Sequence, residues 1–191
     1  PRKKTNSIGG IMQSTLTVPI NYLFWLFRAR ERVYQFAAFA FITTQKKGET
    51  HYLLQWNEKW QCFNFIGGKL ENRKGDNNDL ACTMKREIQE EIGIGYLDGV
   101  IAIEQKGQVY MSQFSRREHR FKDYSFQIFN VHFFPNLPVD QRKVTHSLLW
   151  LTSHNKNIYV SEQEVRNLRT KDGMPISKTV YRILKAIGEI N

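Results

Sequence analysis

Three glutamates lie close together near the middle of this 191-residue chain, at a spacing that could support metal chemistry. Glu87, Glu90 and Glu91 would fan over roughly 100° of a helix, because each residue of an α-helix turns by about 100°. Like charges placed so closely repel unless a cation lies between them. A hard divalent ion such as Mg²⁺ or Mn²⁺ prefers carboxylate oxygens and is the natural counter-charge. The alternative is a solvated acidic face that pairs with Lys85 and Arg86.

The pattern around the glutamates predicts the helix that carries them. Apolar residues recur at every fourth position and form a stripe that can pack on a sheet: Leu80, Met84, Ile88 and Ile92. Asn78 or Asp79 can cap the start, and Gly93 is typical of a helix end. Glu91 borders the apolar stripe. We therefore expect at least one of the carboxylates to be partly sheltered from water.

A glycine pair precedes this helix. Residues 60–71 run from an aromatic strand into Gly67 and Gly68, which allow the backbone to approach a ligand, and Lys69 adds a positive charge. Together with residues 86–94, Arg-Glu-Ile-Gln-Glu-Glu-Ile-Gly-Ile, this stretch resembles the Nudix hydrolases, whose motif is G-x5-E-x7-R-E-U-x-E-E-x-G-U with U aliphatic. The second half of the motif matches at every specified position.

The first half of the motif departs from the family pattern. Gly68 and Arg86 are eighteen steps apart (86 − 68), where the pattern has fourteen, so about four extra residues lengthen the loop at 72–78. Counting back eight residues from Arg86 places Asn78 where the family carries a glutamate. Asp76 or Asp79 could supply the missing carboxylate, although Asp79 alone could simply cap the helix. Ile66 also replaces the usual proline before the glycine pair.

The resemblance implies both a fold and a reaction. The fold is α/β, a Nudix-like α/β/α sandwich with a mixed sheet, and the reaction is hydrolysis of the pyrophosphate bond in a nucleoside diphosphate linked to another moiety. The implied ligands of Mg²⁺ or Mn²⁺ are Glu87, Glu90, Glu91 and the carbonyl of Gly68. The alternative is a catalytically weakened Nudix-fold module that binds a nucleotide or a protein.

The resemblance also assigns roles to the catalytic residues Glu87, Arg86 and Glu91. Arg86 would orient the glutamates through a salt bridge rather than touch the substrate. Glu87, or an acid on a loop such as Glu104 or Glu118, could take the proton from the attacking water. The products would be a nucleoside monophosphate and a phosphorylated remainder.

Four further residues are candidates for substrate binding. Lys69 follows the glycine pair, and Arg120 lies in the basic run 116–122, which we expect near the substrate phosphates. Trp60 and Phe65 are candidates for stacking on a base. The alternative for these aromatic residues is that they alternate along a strand and fill the core.

Composition limits the classes of protein to which the chain can belong. A net charge of +10 indicates a polyanionic partner, either a nucleotide or a nucleic acid. Nucleic acid is not favoured, because the aromatic residues near the basic run do not form an obvious stacking platform. Two cysteines without a C-x-x-C pair suggest neither a disulfide framework nor a zinc site. A reducing, cytoplasmic compartment is therefore expected.

The remaining elements can be placed coarsely. Residues 34–44 and 51–56 predict a hairpin, and 60–65, 100–105, 108–114, 124–134 and 147–151 predict strands. Ser161 and Glu164 form a capping box for a short helix to about residue 169. Apolar positions 180, 183, 184 and 187 predict the buried face of a terminal helix.

The first 33 residues are extra to this predicted domain, which spans 34–191. Residues 1–4 are basic and 20–27 are apolar, but a stretch of about ten apolar residues is too short to span a bilayer. No transmembrane segment or convincing cleavage site is expected. Residues 20–33 are predicted to pack on the domain or on a second copy in a homodimer, with a membrane-surface helix as the alternative.

Overall fold

The computed structural model describes residues 32–92, 101–115, 118–133 and 157–191. The strands are β1 (Val33–Phe41), β2 (Thr43–Lys46), β3 (Glu49–Asn57), β4 (Cys62–Asn64), β5 (Gly67–Lys69), β6 (Ile101–Ser115), β7 (Arg120–Phe133) and β8 (Asn157–Ser161). Within these described residues the helices are α1 (Leu80–Ile92), α2 (Glu162–Asn167) and α3 (Lys178–Ala186), with a 3₁₀ turn at Asn72–Lys74.

The strands form two sheets. The first has the order β5-β1-β7-β6, in which β1 and β7 are parallel and the other pairs are antiparallel. The second has the order β2-β3-β4, and β8 also pairs with β3. The first sheet is therefore mixed, as predicted.

Successive side chains of β1 point to opposite faces of the first sheet, and each face buries different helices. Ala38 and Ala40 pack in one cluster with Met84 and Ile88 of α1. Their neighbours on β1 pack in another cluster with α2 and α3, which contains Phe39, Phe41, Val165, Val180, Ile183 and Leu184. Helices thus cover both faces of the sheet, and the prediction of an α/β/α sandwich is confirmed.

The hairpin is shorter than its sequence pattern suggested. Only Thr43–Lys46 pairs with β3, through a turn in which Lys47 and Gly48 have positive φ. The apolar residues before it form β1, which leaves the hairpin at Ile42 and joins the first sheet instead. A continuous apolar run is typical of a strand buried on both faces, and β1 pairs in parallel with β7.

Two other strand predictions need correction. The strand predicted at 60–65 is reduced to β4, because residues 58–61 form a turn and place Trp60 outside the strand. The segments predicted at 100–105 and 108–114 are one strand, β6, with an irregularity between Gln105 and Gly107. An extra residue on one strand is how a β-bulge interrupts pairing without ending the strand.

The C-terminal helices follow their sequence signals. Both hydrogen bonds of the capping box between Ser161 and Glu164 are present, and α2 ends at Asn167. Val180, Ile183 and Leu184 of α3 are fully buried. The predicted extension before residue 32, the strand at 147–151, and residues 116 and 117 of the basic run lie outside the described residues. Among the described helices, none has the length and apolar character needed to cross a bilayer.

Candidate active site

Two glycines bring the backbone against the acidic side of α1. β5 runs antiparallel to β1, with Gly68 opposite Ala38. Gly67 has a φ of +142°, and a Cβ there would collide with the carbonyl of Ala38. A Cβ on Gly68 would collide with the carboxylate of Glu87. The glycine pair is therefore required by the close packing of this turn on the helix.

Two of the three glutamates are sheltered at this turn. Glu87 is 7% exposed, and Glu91 accepts a hydrogen bond of 3.1 Å from the backbone N–H of Gly67 to its Oε2. Burial raises the pKa of Glu91 to about 7 and also raises the pKa of Glu87. The loss of solvation outweighs the hydrogen bonds that favour the charged forms. Two carboxylates that are costly to ionise therefore lie side by side.

Arg86 connects the elements around these carboxylates. Its Nε and Nη2 donate to the two oxygens of Asp76 at 2.8 and 2.9 Å, and Nη2 also donates to the carbonyl of Lys69 at 3.0 Å. Its Nη1 donates to Glu87 at 2.6 Å and to Glu90 at 3.2 Å. The planar guanidinium thus fixes the loop, the strand and two glutamates in one arrangement. This is the orienting contact that the resemblance implied.

Asp76 is the loop acid that meets Arg86. It is 1% exposed, and it also accepts hydrogen bonds from the backbone N–H of Glu71 at 2.7 Å and from Oγ1 of Thr83 at 2.9 Å. The bonds from Arg86 hold the pKa of Asp76 well below its usual range, despite burial. Its oxygens are fully used by these partners, so Asp76 is a positioning residue.

The two alternatives for the missing carboxylate are thereby distinguished in the structure. Asn78 exchanges hydrogen bonds with Asn72 within the lengthened loop. Asp79 accepts from the backbone N–H of Ala81 at 2.7 Å and caps α1. Asp76 alone of these candidates contacts Arg86, since Asn77 and Asn78 adopt positive φ and turn the chain between Asp76 and the helix.

The third glutamate lies at the edge of the site. The side chain of Glu90 is 45% exposed, and its Oε2 is 3.5 Å from Nζ of Lys74. Because Arg86 holds Glu90 and Gly67 holds Glu91, the three carboxylates do not converge. Within residues 32–92, 101–115, 118–133 and 157–191, no three His, Cys, Asp or Glu side chains are grouped closely enough to hold an ion.

The chemistry of the donors nevertheless suits a hard divalent cation. Glu87 and Glu91 supply oxygens whose ionisation is disfavoured by burial, and a cation would favour their charged forms. The backbone of Gly68 lies against Glu87 with no side chain between them. Rotation of the exposed Glu90 side chain is the change that would add a third carboxylate.

Some of the predicted substrate-binding residues line a cleft at the glycine turn, whereas Phe65 is buried in the core. Lys69 and Trp60 line a cleft beside Gly67 and Gly68, and Trp60 is 56% exposed in the turn before β4. Phe65 is only 4% exposed and packs against Phe39, with ring centroids 6.0 Å apart. The prediction of Phe65 as a stacking residue is therefore not supported, because the core leaves almost none of its ring to a ligand.

The basic residues Arg120 and Lys122, in the described part of the run, lie on β7. Arg120 is not among the residues that line the cleft, and its nearest acid is Glu118, at 3.9 Å. Lys122 is buried and pairs with the same glutamate. Glu118 is thus engaged by two cations, whereas Glu104 lies on β6 opposite Asn130. Of the three proposed bases, Glu87 is the one at the glycine turn.

Sequence reasoning did not assign several of the cleft residues to the site, among them Asn64 and Tyr124. Asn64 precedes the glycine turn on β4, and Tyr124 lies on β7, far away in sequence. Tyr124 is brought to the cleft because β7 and β5 are both neighbours of β1, and Asn64 because β4 leads directly into β5. A polar residue among aromatic residues, as in Phe63-Asn64-Phe65, was the available signal for Asn64.

A second cavity, of about 390 Å³, lies between β1, β6 and β7. Its lining includes Arg32, Tyr34, Tyr110 and Asp123. Among its described lining residues Asp123 is the one carboxylate, and it already accepts hydrogen bonds from Ser112 and Arg32. The described lining therefore differs from the glycine turn, where two sheltered carboxylates are paired.

A methyl group at residue 68 tests the packing of the site. We expect Gly68→Ala to lower whatever turnover the site supports by tenfold or more, because the new Cβ displaces the Glu87 carboxylate from Arg86. Gly107→Ala is the matched control, since its Cβ would meet only Ile187 at an ordinary contact distance of 3.4 Å. The measurement is the steady-state rate together with the thermal unfolding midpoint. Equal activity of the two variants would contradict this role of Gly68.

No protein-family model and no curated protein matches the chain. Several solved structures, however, do match it. Shewanella oneidensis NrtR matches with a TM-score of 0.52 at 13% identity, over 81% of this chain and 62% of that one. NrtR complexed with a 27mer DNA matches with a TM-score of 0.50 at 15% identity, over 81% of this chain and 60% of that one. The NUDIX domain of NrtR complexed with ADP ribose matches with a TM-score of 0.47 at 13% identity, over 84% and 88%.

The fold is Nudix-like. At these identities the likeness concerns the fold alone, and the chain spans about three fifths of the length of the two NrtR chains. The fold predicted from the Nudix-like motif is therefore confirmed at the level of architecture, while the roles of the individual residues rest on the geometry described above.

Proposed function

We propose that the protein hydrolyses the pyrophosphate bond of a nucleoside diphosphate linked to another moiety. The observation that carries this proposal is the pair of sheltered carboxylates, Glu87 and Glu91, at a glycine turn that also borders an aromatic cleft. Paired acids with raised pKa values beside a cleft are typical of catalytic sites. The Nudix-like fold is consistent with this chemistry.

Mg²⁺ or Mn²⁺ would be held by Glu87, Glu90, Glu91 and the carbonyl of Gly68. Such an ion neutralises phosphate charge and lowers the pKa of water. The protein itself orients the carboxylates through Arg86, which is fixed in turn by Asp76. Since Arg86 makes five hydrogen bonds to protein groups, its role is to position the site rather than to bind phosphate.

The cleft supplies the remaining groups. Lys69 follows the glycine turn and offers a cation to the phosphates, and burial lowers its pKa. Glu87 is the proposed acceptor of the proton of the attacking water, because it is the one of the three candidate bases that lies at the glycine turn. The products are a nucleoside monophosphate and a phosphorylated remainder.

A substrate panel tests this proposal. The full chain is incubated with ADP ribose, dinucleoside polyphosphates, nucleoside diphosphate sugars and nucleoside triphosphates, each with Mg²⁺, with Mn²⁺ and with EDTA. We expect release of nucleoside monophosphate from at least one substrate, and a loss of at least 10²-fold when the ion is chelated. Release that is unaffected by EDTA would contradict the metal-dependent mechanism.

One observation favours a second function, a nucleotide-binding module without turnover. Arg86 already compensates the negative charges of Glu87 and Glu90 by donating a hydrogen bond to each carboxylate. The carboxylates of the described residues also do not converge on one point. A protein of this kind would bind nucleotides tightly and release no monophosphate from any member of the panel. That result would favour the binding module over the hydrolase.

A further inference from the structure

An unpaired polar atom lies in the wall of the cleft beside the glycine turn. Asn64 is 3% exposed, and its Oδ1 has no hydrogen-bond partner among the residues that the structure describes. The residue ends β4 and lines the same cleft as Gly67 and Gly68. A buried acceptor without a partner is costly, so a protein that keeps one often has a ligand group to satisfy it.

The rest of the cleft suits a flat aromatic ring. Trp60 is exposed on one side, and Tyr124 lies in the wall formed by β7. The ring of Tyr124 is stacked on Phe126, with centroids 5.1 Å apart and planes within 8°, and Phe126 packs in turn on Phe39 at 5.1 Å. The Tyr124 ring is thereby held in place by the core, whereas the indole of Trp60 is accessible. A base can stack on such side chains whatever its identity.

The glycine turn is shared by the cleft and the carboxylates of α1. Gly67, Gly68 and Lys69 line the cleft, while Gly67 donates to Glu91 and Gly68 lies against Glu87. A molecule with its phosphates at the glycine turn would place its other end against Trp60, Asn64 and Tyr124. The polar atom and the aromatic wall therefore lie where the nucleoside of the proposed substrate would lie.

We propose that this cleft holds the nucleobase of the substrate, and that Oδ1 of Asn64 accepts a hydrogen bond from an exocyclic amino group of that base. The proposal rests on the proposed function for the direction of the phosphates. The ligand class is an adenine, guanine or cytosine nucleotide, since these bases carry an amino group. Trp60 provides the stacking surface, and Asn64 determines specificity.

Binding of nucleoside 5′-monophosphates without divalent ions tests this assignment separately from hydrolysis, because these molecules contain no pyrophosphate bond. The ligands are three matched pairs that differ in the amino group: the monophosphates of adenosine and purine riboside, guanosine and inosine, and cytidine and pyrimidin-2-one riboside. Calorimetry gives the dissociation constants. We expect at least one pair to show a tenfold or greater preference for the amino-bearing member.

Substitutions at Asn64, Trp60 and Tyr110 separate recognition from folding. Asn64→Leu should reduce the preference within that pair to less than twofold, while its thermal midpoint stays unchanged or rises, because an unsatisfied buried atom is removed. Asn64→Ala replaces it if the leucine variant fails to fold.

Trp60→Leu should weaken the binding of both members of the pair by tenfold or more, because the stacking surface is lost. Tyr110→Leu, an exposed aromatic on β6, is the matched control and should leave binding unchanged.

The outcomes distinguish this inference from the proposed function. Equal binding within all three pairs, or a preference that survives in the folded Asn64 variant, overturns the assignment of Asn64 even if hydrolysis is observed. A preference that is lost in that variant supports the assignment even if no substrate is hydrolysed, and the protein would then be a nucleotide-binding module.

Discussion

A variant with both Glu90→Gln and Glu91→Gln should release nucleoside monophosphate about 10³-fold more slowly than the wild-type protein. The substitutions leave Glu87 as the single carboxylate of α1 at the proposed metal site, and one carboxylate holds a divalent ion weakly. Loss of the ion removes both the stabilisation of phosphate charge and the activation of water, each of which contributes orders of magnitude. The initial rate at saturating Mg²⁺ or Mn²⁺ is the measurement.

The same variant should remain folded, which separates loss of chemistry from loss of structure. A glutamine at position 91 can still accept from the N–H of Gly67. The pKa of Glu91 is raised to about 7 in the folded chain, so folding favours the protonated form of this side chain. Its contribution to the free energy of unfolding is therefore fully present below about pH 4 and is lost as the pH rises through 7. The glutamine variant avoids this loss, which is of the order of 3 kcal/mol at pH 8.

The control for this prediction is Glu49→Gln, since Glu49 is an exposed residue of the β2–β3 hairpin. It should leave the rate unchanged. Activity of the double variant within tenfold of the wild type would contradict the assignment of the metal site to these glutamates.

Asp76→Asn should destabilise the protein by about 3–5 kcal/mol, the usual cost of breaking a buried ion pair by removing one partner. Asp76 accepts two hydrogen bonds from Arg86, and the amide group of asparagine cannot accept both. The guanidinium would then lack its main partner at the centre of the site. Urea unfolding at pH 7 measures the change in the free energy of unfolding, and a change below 1 kcal/mol would contradict the role assigned to Asp76.

The pH dependence of stability provides a second measurement on this variant. The pKa of Asp76 lies well below its usual range in the folded chain, so its contribution to stability is present above about pH 4 and is lost as the pH falls further. We expect the wild-type protein to lose stability more steeply than Asp76→Asn between about pH 5 and pH 2. Parallel curves for the two proteins would show that Asp76 does not carry this dependence.

Asp79→Asn is the matched control for Asp76→Asn. It makes the same chemical change three residues further along the chain, at the residue that caps α1. Asparagine is as good an N-cap as aspartate, so we expect a change of about 0.5 kcal/mol or less. The difference between the two variants then measures the Arg86 contact rather than the loss of a charge.

Local patterns were sufficient for most of the elements. The apolar residues at every fourth position predicted α1, and Ser161 and Glu164 predicted the start of α2. Both signals are local, because helix periodicity and capping depend on neighbours in sequence. The glutamates and the glycine pair predicted a Nudix-like fold, which the architecture bears out. The extents of β1, β4 and β6 were less accurate, since strand partners are distant in sequence and decide where pairing ends.

The sequence by itself determined the acidic helix, the glycine turn and the type of chemistry that they favour, because these depend on residue types at fixed short spacings. Only the tertiary structure decided that Asp76 meets Arg86, that the Glu90 side chain is exposed at the edge of the site, and that Phe65 is buried. It also decided that the Asn64 amide and the Tyr124 ring share a cleft. Counting along a chain cannot give these results, because burial and long-range pairing set which side chains meet and which carboxylates lose their water.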